Sequence, residues 1–159
     1  AHLVCWLHMA LRQPELLQAA NVMLPFPPDV LRGSLLFYGI YDLEVTWKLG
    51  ASVRTPIRSL LGAEPAAVPE LTKLASPLRH IVPGVAPLFV AAGEKDVLYG
   101  QSVELVDSLC REGLENRPLL LDRKRYSDAG HSFINFGSRK AARASLQGAL
   151  AFIAEFDRG

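Results

Sequence analysis

Short apolar runs separate longer stretches of mixed polarity along the chain. Three of these runs are continuous, with no charged position inside them, and they lie at 34–38, 87–92 and 118–121. Continuous apolar runs of this length are typical of strands that are covered on both faces of a sheet. We therefore predict three buried, mostly parallel strands.

Apolar residues at helical spacing indicate the elements between the strands. They predict a helix over 1–20 that is interrupted near Pro14, a helix over 101–111, and a last helix over 138–156 in which Leu146, Leu150 and Ile153 repeat. Helices that alternate with buried strands favour an α/β fold, a three-layer sandwich around a mostly parallel sheet. The chain has 159 residues, which suits a single domain over 1–159.

The segment 44–81 departs from this alternation. It contains two short helical patterns, over 53–61 and 70–75, and it is broken by prolines. Connections in compact domains are usually about 4–6 residues long, so we predict that this segment is a cap or a substrate-pocket insertion. At its borders, Asp42 is expected to cap a turn, and Ser76 is expected to begin one rather than act as a nucleophile.

Composition and charge narrow the classes of function. The net charge is +1 and no apolar stretch approaches the length of a membrane helix, so we expect neither a nucleic-acid partner nor a membrane partner. Cys5 and Cys110 lie on the apolar faces of predicted helices, which favours buried free thiols and a cytoplasmic protein. The spacing typical of a zinc site is missing, and we predict no metal and no organic cofactor.

Two polar residues follow the second and third predicted strands. Asp96 comes four residues after Ala92, and His131 lies in the loop before the last helix, 35 positions further on. One helix and one strand fit between them, so both loops are expected to reach the same edge of the sheet, where α/β proteins bind ligands. Glu94 is the competing acid for a partnership with His131.

Four segments resemble the C-terminal half of an α/β-hydrolase of the esterase type, in particular acetyl-esterase-like and kynurenine-formamidase-like members. They are 39–43 (GIYDL), 75–78 (ASPL), 87–96 (PLFVAAGEKD) and 129–133 (AGHSF). The resemblance implies that His131 is the general base of a catalytic triad and that Asp96 orients it. The motif G-x-S-x-G, which carries the nucleophile in this family, occurs nowhere in the sequence. By the same resemblance the chain is cut just after that motif, and it is expected to be inactive alone.

The resemblance implies a hydrolase of small carboxylic esters that works through an acyl-enzyme. An arylformamidase acting on a formamide, a peptidase-like hydrolase, and a non-catalytic pseudo-hydrolase or interaction module stay open as alternatives. Tyr41, Trp47 and Phe133 are candidates for lining an acyl pocket, although packing in the core or cap is an equal alternative for Trp47. A sheet without the strand that leads to the nucleophile has an open edge, which predicts self-association.

Overall fold

A parallel sheet of three strands forms the centre of the computed structural model, which describes residues 1–114, 116–121 and 128–156. The strands are β1 (Ser34–Phe37), β2 (Leu88–Gly93) and β3 (Asn116–Leu121), in the order β1-β2-β3. Both pairs of strands are parallel, with Leu36 opposite Val90 and Val90 opposite Pro118. The three predicted strands and their direction are confirmed.

Seven α-helices surround the sheet in the described part of the chain. They are α1 (His2–Ala10), α2 (Pro14–Ala19), α3 (Leu43–Trp47), α4 (Ala51–Leu61), α5 (Pro69–Leu74), α6 (Tyr99–Arg111) and α7 (Lys140–Phe156). The predicted interruption near Pro14 is real, because Pro14 is the first residue of α2. Pro56, in contrast, lies inside α4 and does not end that helix. Among these helices, none is both long enough and apolar enough to cross a membrane.

The sheet is covered by helices on both faces, as predicted. On one face Leu88 and Val90 pack with Cys5 of α1 and with Leu105 and Leu109 of α6. On the other face Phe89 and Ala91 pack with residues of α7, namely Ala141, Ala149 and Phe152. Alternate residues of β2 therefore face opposite layers, which gives the three-layer α/β sandwich.

One prediction about packing on helices is wrong. Cys5 is buried, and burial raises the pKa of its thiol to about 12, but Cys110 is exposed near the end of α6. On α7, Leu146 and Leu150 are exposed, and the helix meets the sheet through Ala141, Ala149 and Phe152.

The segment 44–81 builds a small core of its own. Leu43, Val53, Ile57 and Leu61 pack there with Leu98, which belongs to the loop after β2. Asp42 caps α3, as expected, because its Oδ1 accepts a hydrogen bond from the Val45 amide at 3.0 Å. The role of the segment as a cap stays a prediction.

His8 fastens α1 to the beginning of β1. Its Nε2 lies 2.6 Å from the Ser34 hydroxyl, the ring also bonds the Gly33 backbone, and the residue is only 2% exposed. Burial, followed by the charge of Arg12, lowers the pKa of His8 to about 4. The imidazole is therefore neutral in the folded protein at neutral pH.

This depressed pKa predicts acid destabilisation. Between pH 6.5 and pH 4 the unfolded chain binds a proton at His8 that the folded chain does not, so the free energy of unfolding falls as the pH is lowered through this window. The loss attributable to His8 reaches about 3 kcal/mol near pH 4, and it is absent above pH 6.5. Urea unfolding at pH 7.5, 5 and 4 measures it, with His8→Gln as the matched variant, since glutamine keeps the hydrogen bonds but takes up no proton. Equal pH dependence in both proteins would contradict the assignment.

The edge of β1 that faces away from β2 has no partner strand within the described residues. Ser34 and Tyr38 donate their amides to the carbonyls of Pro87 and Ala91, beside or within β2. Because parallel pairing alternates along a strand, the amides of Leu35 and Phe37 face the other way, towards the open edge.

We expect the 159-residue chain to self-associate through this edge. Leu35→Pro removes an outward amide without removing a bond to β2, and it should shift the chain towards monomer. Leu35→Val keeps the amide and serves as the control. Sedimentation velocity over a range of concentrations measures the association. A wild-type chain that stays monomeric throughout would rule the edge out as an interface.

Candidate active site

The loop after β2 and the loop before α7 touch through their backbones. A β-carbon built on Gly93 would overlap the Ala129 carbonyl oxygen and would lie 2.7 Å from the Ala129 β-carbon. The same carbonyl accepts a hydrogen bond from the Lys95 amide at 3.3 Å. Only glycine allows this approach, so the residue type at 93 determines how close the two loops can come.

Asp96 lies in the first of these loops and is almost completely buried. Its amide donates to the Gly93 carbonyl at 2.9 Å, and its Oδ1 accepts from the Leu98 amide at 2.8 Å. These two bonds form a tight turn that leads into α6. The turn fixes the carboxylate and leaves Oδ2 to bind a partner from outside the loop.

His131 is that partner. Its Nδ1 lies 2.9 Å from Asp96 Oδ2, while its side chain is 52% exposed. A carboxylate accepts hydrogen bonds, so Nδ1 donates and Nε2 is the basic nitrogen of the neutral ring. Glu94 is engaged differently: its Oε1 accepts a long bond of 3.4 Å from the Tyr99 hydroxyl. The expectation that Asp96 and His131 meet at one edge of the sheet is confirmed.

The loop that carries His131 is held by its neighbours. Ser132 has a left-handed backbone, with φ of 60°, and a 3₁₀ turn follows at Phe133–Asn135. Phe133 is inserted in the core beside Phe89 and Ala91 of β2. Phe133 thus anchors the segment in the core, and His131, two residues earlier, is half exposed.

Tyr38 contacts His131 from the end of β1. The centroids of the two rings are 5.0 Å apart, at an interplanar angle of 61°, and a second T-shaped contact joins Tyr38 to Phe133 at 5.8 Å. Burial raises the pKa of Tyr38 above its ordinary value, and the negative charge of Asp96 raises it further. The hydroxyl is therefore protonated at neutral pH. Sequence reasoning missed this residue, although its place directly after a strand at the carboxyl edge could have indicated it.

A cavity of about 490 Å³ opens beside His131 and Tyr38. Its walls are mainly apolar and come from four places: Ala1 and His2 at the start of the chain, Ile40 after β1, Val53 and Pro56 of α4, and Val97 and Leu98 after β2. The basic nitrogen of His131 thus belongs to a residue that lines an apolar pocket. Such a wall suits an uncharged, apolar substituent.

The three aromatic residues predicted to line this pocket lie elsewhere in the structure. Tyr41 is completely buried beside Cys5 and Met9, where its ring fills the space next to Gly39. Phe133 is a core residue that reaches the site only through Tyr38. Both rings are buried in the core and neither lines this cavity, so their part in an acyl pocket stays a prediction.

Trp47 faces a different groove from the one beside His131. The guanidinium groups of Arg54 and Arg58 each lie 5.5 Å from its ring, and Pro65 and Lys73 share its groove. Its carbonyl also accepts a hydrogen bond from Arg54 Nε. The cationic contacts bind Trp47 to α4, so the packing alternative describes its position.

Ser76 has a structural role, as expected. Its hydroxyl donates to the Thr72 carbonyl at 2.7 Å and accepts from the Leu43 amide at 3.0 Å, in a buried position. Within the described ranges, no three histidine, cysteine, aspartate or glutamate side chains are grouped as a metal site would require.

Comparison with known proteins supports the fold. The BD-FAE family, an α/β-hydrolase-type family, matches residues 33–109, which include β1, β2 and Asp96. Esterase B from Lactobacillus rhamnosis superposes with a TM-score of 0.75 at 14% identity, over 99% of this chain and 49% of that one. No match was found among curated proteins.

Two further solved esterases are similar. Native Est2 from the Planctomycetes species Thermogutta terrifontis has a TM-score of 0.58 at 21% identity, covering 86% of this chain and 48% of its own. EstE5 in its PMSF structure has a TM-score of 0.57 at 17% identity, covering 92% and 49%. The chain thus spans about half the length of these structures.

The architecture and these similarities define the class: the chain has a partial α/β-hydrolase fold.

The contact between Gly93 and Ala129 predicts the effect of one added methyl group. Gly93→Ala forces the Ala129 carbonyl away, because the obstacle is backbone and not a flexible side chain. We expect a loss of about 1–3 kcal/mol in the free energy of unfolding. The hydrogen bond between Asp96 and His131 should be lost with it.

Gly100→Ala is the matched control for that substitution. Gly100 lies in α6 with nothing within 4 Å of its added β-carbon, so alanine should leave stability unchanged or raise it. Urea unfolding compares the two variants, and NMR of the His131 ring reports the hydrogen bond. Equal stability of the two variants would contradict the role assigned to Gly93.

Proposed function

We propose that Asp96 and His131 are the acid and the base of a serine hydrolase that cleaves carboxylic esters through an acyl-enzyme. The observation that carries the proposal is the 2.9 Å bond between His131 Nδ1 and the buried Asp96 Oδ2. A base oriented by a buried carboxylate, at the edge of an apolar cavity, is the arrangement that nucleophilic acyl transfer needs. The nucleophilic serine is proposed to lie outside these 159 residues, in the whole protein.

The proposed reaction uses Nε2 twice. As the serine oxygen attacks the ester carbonyl, Nε2 of His131 accepts the hydroxyl proton, and the collapsing tetrahedral intermediate then takes that proton to release the alcohol. Water repeats the sequence on the acyl-enzyme and releases the acid. Asp96 stabilises the imidazolium and holds the tautomer with the proton on Nδ1.

The cavity supports a preference for uncharged, apolar substituents. Val53, Pro56 and Leu98 offer no ion pair to a charged acyl chain, and burial lowers the pKa of His2, which also lines the cavity. A small ester with an aliphatic or aryl group is therefore the proposed substrate, and a formamide is the runner-up. We also propose a cytoplasmic location, which is supported by the buried free thiol of Cys5.

Substitution of the pair tests the proposal in the complete protein. His131→Gln should lower kcat on p-nitrophenyl butyrate by on the order of 10⁴–10⁶-fold, and Asp96→Asn by about 10⁴-fold, because each removes a member of a cooperating set. Glu94→Gln is the matched control, since Glu94 lies two residues from Asp96 and bonds Tyr99. Full activity in His131→Gln would overturn the assignment.

Two assays, one on the 159-residue chain and one on the complete protein, separate the remaining functional alternatives. It should release no burst of p-nitrophenol from p-nitrophenyl acetate, because the G-x-S-x-G motif is absent from it. Comparison of an ester with the corresponding formamide and anilide in the complete protein distinguishes an esterase from a formamidase or a peptidase-like enzyme. A complete protein inactive on all three would favour the non-catalytic reading.

A further inference from the structure

Tyr38 has a backbone conformation that a large side chain rarely adopts. It directly follows β1, and its φ is 40°, in the left-handed region. Its amide still donates to the Ala91 carbonyl at 2.9 Å, so sheet pairing continues to the residue at which the chain turns. Strained residues of this kind persist only where the surroundings determine their conformation, and they concentrate at functional sites.

The residues after Tyr38 show what holds the strained turn. A β-carbon on Gly39 would lie 2.5 Å from Cζ of the buried Tyr41 ring, so residue 39 is locked against that ring. The amides of Tyr41 and Asp42 both donate to Oε1 of Gln101, at 3.0 and 2.7 Å. Gln101 is itself buried on α6. Packing and a buried amide side chain therefore fix the turn from two sides.

The position of the Tyr38 ring follows from this turn. It forms T-shaped contacts with His131 and with Phe133, which is anchored in the core. The hydrogen bond to Asp96 fixes Nδ1 of His131 but allows the half-exposed imidazole to rotate about that bond. A rigid ring against one side of the imidazole removes this rotation.

We propose that Tyr38 is a positioning residue for His131, and that the strained turn at 38–42 holds the Tyr38 ring against the imidazole so that Nε2 stays directed at the cavity. The catalytic meaning of this inference rests on the proposed function, whereas the ordering of the ring does not. The contact is made by the aromatic ring, so phenylalanine should replace tyrosine at this position. The hydroxyl group is not required.

Two substitutions distinguish the effect of the Tyr38 ring from the effect of its left-handed backbone. Tyr38→Phe keeps the ring. Tyr38→Asn removes the ring but tolerates the left-handed backbone better than tyrosine does, so the variant has no added strain that would prevent folding. A purely structural role predicts that stability and ring order change together. A positioning role predicts that Tyr38→Asn keeps its unfolding midpoint while the order of His131 is lost.

NMR of selectively labelled histidine in the 159-residue chain makes the measurement. We expect the His131 ring to be as ordered in Tyr38→Phe as in the wild type, by ¹³C relaxation and by the Nδ1–H tautomer signal. In Tyr38→Asn we expect a loss of ring order and a mixed tautomer signal. Asp96→Asn is the positive control, since it removes the other restraint on the ring. A His131 ring that is equally ordered in Tyr38→Asn would overturn the inference.

Kinetic measurements on the complete protein are the second test of the inference. Tyr38→Asn should lower kcat by about 10–100-fold with KM within about twofold, as expected for a misdirected base, and Tyr38→Phe should restore kcat. Failure of the proposed function and failure of the positioning role give different results. An ordered ring that depends on Tyr38 in a protein without hydrolase activity removes the proposed function and leaves the positioning role. An active protein whose kcat is unchanged in Tyr38→Asn removes the positioning role alone.

Discussion

The backbone contact between Gly93 and Ala129 is the constraint on which the candidate site depends. It brings the end of β2 against the loop before α7, where the Ala129 carbonyl also binds the Lys95 amide. Asp96 and His131 follow these two points by three and two residues, so the short loops have little freedom to separate them. The 2.9 Å bond between their side chains is thus set by the close packing of two backbones.

His8 and His131 show how the partner determines what a histidine does. His8 is buried against the neutral hydroxyl of Ser34, and burial lowers its pKa to about 4, so it fastens α1 to β1 as a neutral group. His131 is half exposed and donates its Nδ1 hydrogen to the carboxylate of Asp96, which orients the ring with Nε2 as the basic nitrogen. Only the second arrangement suits a group that gains and loses a proton during a reaction.

Local patterns were sufficient to predict the strands and the meeting of Asp96 with His131. The three strands are continuous apolar runs, and parallel strands bring the following loops to one edge whatever packs around them. The surroundings of the aromatic residues could not be predicted in this way. Tyr41 and Phe133 are buried because of contacts with residues distant in sequence, and the turn that follows Tyr38 is bonded at the Tyr41 amide to Gln101, sixty positions further on.

The walls of the cavity and the acid–base pair are stabilised by different parts of the fold. Asp96 and His131 are positioned by the sheet edge and α7, whereas Val53 and Pro56 belong to α4, which packs in the separate small core of the segment 44–81. Leu98 joins the two, because it packs in that core while its amide binds Asp96 Oδ1. Changes in α4 can therefore reshape the pocket without moving the pair. Changes at Leu98 alter both the wall and the carboxylate that orients the base.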